Sequence, residues 1–219
     1  MSTITADSVW AVVLAAGTSS RLGQPKQLLD LGGEPILNHV LRAAAISRVA
    51  GMVLVLGHEA TAISGGIGDF GQHTVVNANY ADGQSTSLKV GIAALPAQAA
   101  AAVILLGDQP LVTSALIDHL IGRFIAENCM TKIVQARYGR ISAPPVLIGR
   151  GWFAGLYGLT GDHGARELIR DHRDQVRFVE SDQDRPFDID TLDDYTELLR
   201  RAGGGGIPVF GIPPGQKTL

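Results

Sequence analysis

The chain has 219 residues, of which 46% are hydrophobic and 18% charged, enough apolar surface for one large folded core and far from a disordered composition. A formal net charge of -3 excludes a general polyanion binder, so no nucleic-acid partner is expected and any phosphate site must be local. The single cysteine, Cys129, sits in a helix-like stretch and can form neither an internal disulfide nor a multi-thiolate metal site, which fits a reducing, cytoplasmic setting. No leader-like or bilayer-length apolar run stands out, so no membrane partner is expected either.

Short runs rich in Val, Ile and Leu alternate with longer amphipathic stretches, the pattern of strand and crossover helix in a mostly parallel α/β sheet. Strands are predicted over residues 9–14, 52–56, 73–76, 101–106, 132–136, 146–148 and 176–179. Helices are predicted over 35–49, with proline in the first turn, over 85–95, stopping before Pro96, and over 113–128, capped by Thr113. Two more are predicted over 166–171 and 193–202, the last closed by glycine. Leu116, Ile117, Leu120, Phe124 and Ile125 recur on one helical face and predict a core stripe. The Pro144-Pro145 pair suits a sheet edge or a strand start. Residues 9–202 thus read as one domain, and 203–219 as a loose Gly/Pro-rich tail.

The segment from Leu14 through Ala15, Ala16 and Gly17 to Arg21 and Lys26 leaves a buried strand at its carboxyl end, where ligands bind in open α/β sheets. Small residues let backbone N–H groups approach anionic oxygens, and Arg21 and Lys26 supply one forked and one mobile cation, so the loop suits a polyphosphate. A tight strand-to-helix connection with two solvated charges is the structural alternative. The chain has neither a G-x-x-x-x-G-K-[ST] run nor a G-x-G-x-x-G run, so a P-loop ATPase and an ordinary dinucleotide site lack support. Glu59 therefore reads as an exposed helix-start carboxylate.

Gly107-Asp108-Gln109-Pro110 puts a carboxylate just past a strand too apolar to hold a charge within it. Such an acid, with a second from elsewhere, can hold a hard cation on a triphosphate, although a turn aspartate is the plainer reading. Asp188 and Asp190 precede the last helix, where either could cap it while the other faces a ligand. Asn79, Gly83, Ser85, Thr86 and Ser87 form a polar approach to a helix start, open to base, ribose or phosphate contacts or to a simple serine cap. The six histidines include no H-x-x-x-H pair, and no serine sits in a G-x-S-x-G elbow, so neither zinc nor acyl-transfer chemistry is expected.

Taken together, L-A-A-G-x-S-x-R-x-G-x-x-K continued by Gln27-Leu28-Leu29, then G-D-Q-P, then D-I-D-T, resemble the MobA/MocA-like nucleotidyltransferases, closest to the molybdenum cofactor cytidylyltransferase branch. The resemblance covers residues 9–202 and includes Asn79-Tyr80 through Gly83 to Ser87-Leu88 and a G-D-x-G-A-R segment at Gly161 to Arg166. It implies a Rossmann-like, three-layer α/β/α fold of the nucleotide-diphospho-sugar transferase type. It implies nucleotide contacts at Leu14, Ala15, Ala16, Gly17, Asn79, Gly83, Ser87 and Gly107, triphosphate contacts at Arg21 and Lys26, and Mg2+ held by Asp108 and Asp190. Arg21, Lys26 and Asp108 would carry the chemistry.

The Ala15-Ala16 pair points, by the same resemblance, to CTP as donor and to a phosphorylated acceptor such as molybdopterin, with pyrophosphate released. A molybdoenzyme or its maturation chaperone would then be a protein partner. Where relatives show a Gly-His-Pro or similar acceptor-side segment, this chain has Ala143-Pro144-Pro145, and Arg166 reads either as a candidate for the acceptor phosphate or as a surface arginine in a helix-start loop. The competing readings are an NAD(P)-dependent oxidoreductase on a related sheet and a non-catalytic nucleotide or cofactor-binding protein.

Overall fold

The computed structural model describes residues 4–186 and 188–203. Seven strands form one sheet: β1 (Val9–Ala15), β2 (Met52–Leu56), β3 (Gln72–Val76), β4 (Ala101–Leu106), β5 (Ile133–Tyr138), β6 (Ile141–Gly149) and β7 (Val176–Glu180). Their order is β3-β2-β1-β4-β6-β5-β7, with β6 antiparallel to both neighbours and every other pairing parallel. The helices are α1 (Ile36–Ala45), α2 (Ala60–Gly66), α3 (Gln84–Ala93), α4 (Ser114–Glu127), α5 (Phe153–Leu156), α6 (Arg166–Asp171) and α7 (Leu192–Gly203). None of them is long and apolar enough to cross a membrane.

Alternation along β1 sets the layers. Val9, Ala11, Val13 and Ala15 share a buried cluster with Leu37 and Leu41 of α1, Ile63 of α2, and Ile117, Leu120 and Phe124 of α4. Val12 and Leu14 point the other way, toward Leu88 and Ile92 of α3, Leu156 of α5 and Leu168 of α6. Helices therefore cover both faces, as the fold reading anticipates, and strands buried on both sides carry the near-continuous apolar runs seen in the sequence. Gly91 lets α3 lie close to the sheet: a Cβ there would stand 2.4 Å from Val12 Cγ1 and 3.0 Å from Val55 Cγ2. Gly91→Ala is expected to cost about 1–3 kcal/mol by overpacking, read as a lower denaturation midpoint in urea at unchanged slope.

Several boundaries differ from the sequence reading. The first helix ends at Ala45 rather than 49, because Ile46 and Ser47 already turn back onto the backbone oxygens of Arg42 and Ala44. Cys129 lies beyond α4, which closes at Asn128 in a left-handed conformation, φ 44°. Thr113 caps α4 as expected, its side chain accepting from Leu116 N. The Pro144-Pro145 pair lies in neither an edge strand nor a strand start: β6 begins at Ile141 and runs between β4 and β5. It is tolerated because the β5 register jumps there, Gln135 facing Val146 and Ala136 facing Ala143, so the prolines occupy a bulge that asks for no ladder donors. Of the predicted tail only Gly203 lies within the described residues, as the end of α7.

Candidate active site

Because β1 and β4 are adjacent and parallel, with Leu14 opposite Leu106, the loops that follow them leave the sheet side by side. Gly107 N donates to Leu14 O at 2.9 Å. A Cβ at 107 would stand 2.8 Å from Ala15 Cβ and 3.2 Å from Leu14 O, so glycine is what lets the second loop lie against the first. The result sets Asp108 beside the Leu14-to-Lys26 loop.

There the Lys26 ammonium donates to Asp108 Oδ2 at 2.6 Å and to Asp190 Oδ1 at 3.0 Å. Arg21 reaches the other oxygen of Asp190 at 3.2 Å. The side chains of Lys26 and Asp108 are only 13% and 15% exposed, whereas Arg21 is 69% exposed and meets the cluster through Asp190. Burial alone would lower the lysine's proton affinity, but the charges and hydrogen bonds of Asp108, then Asp190, outweigh it and hold Lys26 above its ordinary value. Burial pushes the Asp108 carboxyl upward, against the pull of Lys26. This acid therefore depends strongly on a cation beside it.

The loop that presents Lys26 is pinned from within. Ser19 adopts a left-handed backbone, φ 50°, and its Oγ accepts from Lys26 N at 3.1 Å. The buried Gln27 side chain donates from Nε2 to Ala15 O at 2.9 Å, which ties the far end of the loop back to β1. Only the four-carbon stem of Lys26 is left to move.

Neither Asp188 nor Asp190 caps the last helix. Thr191 Oγ1 accepts from Asp194 N at 3.2 Å while Asp194 Oδ2 accepts from Thr191 N at 2.8 Å, a reciprocal capping box. Asp190 is thereby released for the two cations, and Asp188 accepts from Gln109 Nε2 at 3.0 Å. The alternative of a simple serine cap on α3 is not what forms: Gln84 N donates to Asp162 Oδ1 at 3.2 Å, from 78 residues away in sequence. Gly83, at φ 107°, makes that approach possible, since a Cβ there would be 2.5 Å from the Gly161 carbonyl carbon.

Two cavities open at this end of the sheet and share Leu14, Gln84, Leu106, Arg166 and Asp188. The smaller, about 400 Å³, is lined by Leu14, Ala16, Gly17, Lys26, Ser87 and Asp108 among others. The larger, about 740 Å³, lies against Gln135 of β5, Ser142, Ala143, Pro144 and Val146 of β6, and Ile169 of α6. The other sequence candidates line neither cavity. Ala15 faces the core, Gly107 provides the close approach, Gly83 seats the 161 segment, and Asn79 donates from its backbone to Asn77 Oδ1.

Three supporting amides were not singled out from the sequence: Gln27, Asn77 and Gln109. Asn77, buried one residue past β3, donates to Thr86 Oγ1 at 2.8 Å and to Ser87 Oγ at 2.9 Å, fixing the polar approach to α3. The available signal was position, since Asn77 and Gln109, like Asp108, are polar residues within three positions of a strand's carboxyl end.

The donor set fits a hard divalent cation. One oxygen of Asp108 and one of Asp190 lie within 3.0 Å of a single ammonium nitrogen, so both already converge on one cation position. Among the described residues no cluster of three or more His, Cys, Asp or Glu side chains gathers to hold a metal. Phosphate oxygens and water would have to complete the coordination.

A family model described as the MobA-like NTP transferase domain matches residues 11–176. Purine catabolism protein PucB of Bacillus subtilis is 31% identical over 204 residues, 87% of this chain and 95% of the relative. Nicotine blue oxidoreductase of Paenarthrobacter nicotinovorans is 28% identical over 201 residues, 87% of this chain and 96% of the relative. The bifunctional protein GlmU of Kineococcus radiotolerans is 33% identical over 140 residues, but the match spans only 28% of that protein's length. Among solved structures, Rv0371c of Mycobacterium tuberculosis H37Rv superposes with a TM-score of 0.81 at 36% identity, covering 90% of this chain and all of that one. A manganese complex of Rv0371c gives a TM-score of 0.77 at 33% identity, covering 88% and 98%.

Proposed function

This chain belongs to the MobA-like NTP transferase family, and we propose that it is a nucleotidyltransferase that transfers CMP from CTP to a phosphorylated acceptor, with molybdopterin the leading candidate. The observation that carries the reading is the Lys26–Asp108–Asp190 cluster, whose Lys26 and Asp108 line the smaller of two cavities that share a wall. Nucleotide in the smaller cavity and acceptor in the larger would meet at their shared wall.

In this reading the Leu14-to-Gly17 backbone and the two cations, Arg21 and Lys26, hold the triphosphate. An acceptor phosphate oxygen attacks the α-phosphorus, the new P–O bond forms as the α–β bridging bond breaks, and pyrophosphate leaves with the electron pair. No protein nucleophile is needed, because alignment and charge stabilisation supply the acceleration. Mg2+ held by Asp108 and Asp190 would neutralise part of the phosphate charge. Of the Ala15-Ala16 pair that favours CTP, Ala16 is the member that lines the nucleotide cavity.

Arg166 lines both cavities and has no ion-pair partner among the described residues, so it is placed to receive the acceptor's anionic group. Arg166→Ala is expected to raise the acceptor KM about tenfold with a smaller effect on the CTP KM, measured by steady-state kinetics.

The test of the whole reading is acceptor-dependent pyrophosphate release with each NTP in turn, Mg2+ or Mn2+, and candidate phosphorylated acceptors. CTP with molybdopterin should give the fastest release, and silence across the panel would sink the assignment. The relative named nicotine blue oxidoreductase makes hydride transfer the second reading. NADPH consumption in the same assay would favour that one; none is expected.

A further inference from the structure

We propose that Lys26 is a place-holder for the divalent cation: with no ligand bound its ammonium bridges Asp108 and Asp190, and it must leave both carboxylates before they can take the metal. Metal and nucleotide then bind as a linked pair, because the triphosphate is what draws the ammonium away. This rests on the nucleotidyltransferase reading of the site.

Four observations carry it. First, a divalent ion bound to Asp108 Oδ2 and Asp190 Oδ1 at about 2.1 Å would crowd an ammonium nitrogen that already lies 2.6 Å and 3.0 Å from those same oxygens. Two cations cannot share that space. Second, among the described residues Lys26 is the only ion-pair partner of Asp108, so displacing it strips that carboxylate of its one cation unless another arrives. Third, the protein offers too few ligands to win the metal by itself, since no third His, Cys, Asp or Glu joins the cluster among the described residues. Fourth, the backbone of Lys26 is fixed by Ser19 Oγ and by Gln27, whereas its side chain borders the 400 Å³ cavity. The stem can therefore swing toward a triphosphate without the loop rearranging.

The consequence is reciprocal. Whatever holds the ammonium on the carboxylates opposes the metal, and whatever draws it onto phosphate favours the metal by the same factor. Arg21 adds a weaker brake, because it holds only the outer oxygen of Asp190 from an exposed position.

The experiment is titration of the nucleotide-free protein with Mn2+ alone, following the free-ion EPR signal, in the wild type and in Lys26→Met and Lys26→Gln. Two variants guard against a folding defect in either one, checked by circular dichroism. Removal of the ammonium is expected to tighten Mn2+ binding about tenfold or more while weakening CTP binding by a similar factor. Adding Asp108→Asn to either variant should abolish the gain in metal affinity. Unchanged or weaker Mn2+ binding in the variants of a protein that still binds CTP would overturn the place-holder role alone, as would a gain that survives Asp108→Asn. A wild-type protein that binds no nucleoside triphosphate in the presence of Mn2+ would overturn the site reading, and the proposal with it.

Discussion

Lys26→Ala is expected to lower acceptor-dependent pyrophosphate release by about 10²–10³-fold, the scale on which removing one preorganised charge from a developing anion slows a reaction. The effect should appear in turnover more than in CTP affinity, because an ammonium on the triphosphate is most valuable while pyrophosphate departs. The substitution also leaves Asp108, a carboxyl that burial pushes upward, without its cation. A stability loss of about 1–3 kcal/mol should accompany the kinetic one, with the far-ultraviolet spectrum unchanged. A variant that turns over within threefold of wild type would remove Lys26 from the chemistry, whatever its stability.

Asp108→Asn is the second large effect, with a different signature. The amide keeps the shape but removes the negative charge that a hard cation requires, so turnover should fall by about 10²-fold or more. Raising Mg2+ should recover little of it. Lys26 would keep Asp190 at 3.0 Å, so the loop should stay in place and CTP binding without metal should change little or tighten. Equal turnover for Asp108→Asn and wild type across a Mg2+ titration would exclude the carboxylate as a metal ligand.

Much of the fold could be read from local pattern alone. The buried strands Val9–Ala15, Met52–Leu56 and Ala101–Leu106 are apolar enough to leave no other reading, and α4 announces itself by its stripe and its Thr113 cap. The elements that escaped have physical reasons. Helix α2 reads Ala-Thr-Ala-Ile-Ser-Gly-Gly, with a single buried residue, Ile63, and glycines that weaken any helical signal. Strand β6 was truncated because its prolines argue against pairing, and only the bulge opposite Gln135 and Ala136 makes them acceptable.

The site was legible as residue types and not as contacts. Sequence alone nominates Arg21, Lys26, Asp108 and Asp190, but Lys26 meets its two carboxylates across 82 and 164 residues, and no local pattern states that one ammonium bridges both. The caps show the same limit. Asp194 completes a box with Thr191 that a Thr-x-x-Asp spacing hints at, whereas Asp162 capping α3 from a distant turn leaves no local trace.

The reversed strand β6 divides the molecule in a way that bears on how such a protein can change its substrate. On one side, β3, β2, β1 and β4 run parallel, and the loops after β1 and β4 carry Lys26 and Asp108, while on the other, β6 and β5 furnish part of the wall of the larger cavity. Residues such as Gln135, Ser142 and Ala143 can therefore be exchanged without disturbing the register between Leu14 and Leu106 on which Asp108 depends. Acceptor choice and phosphate handling are separable inheritances of one sheet, and a library restricted to the β5–β6 wall is the place to seek new acceptors with the donor half held constant.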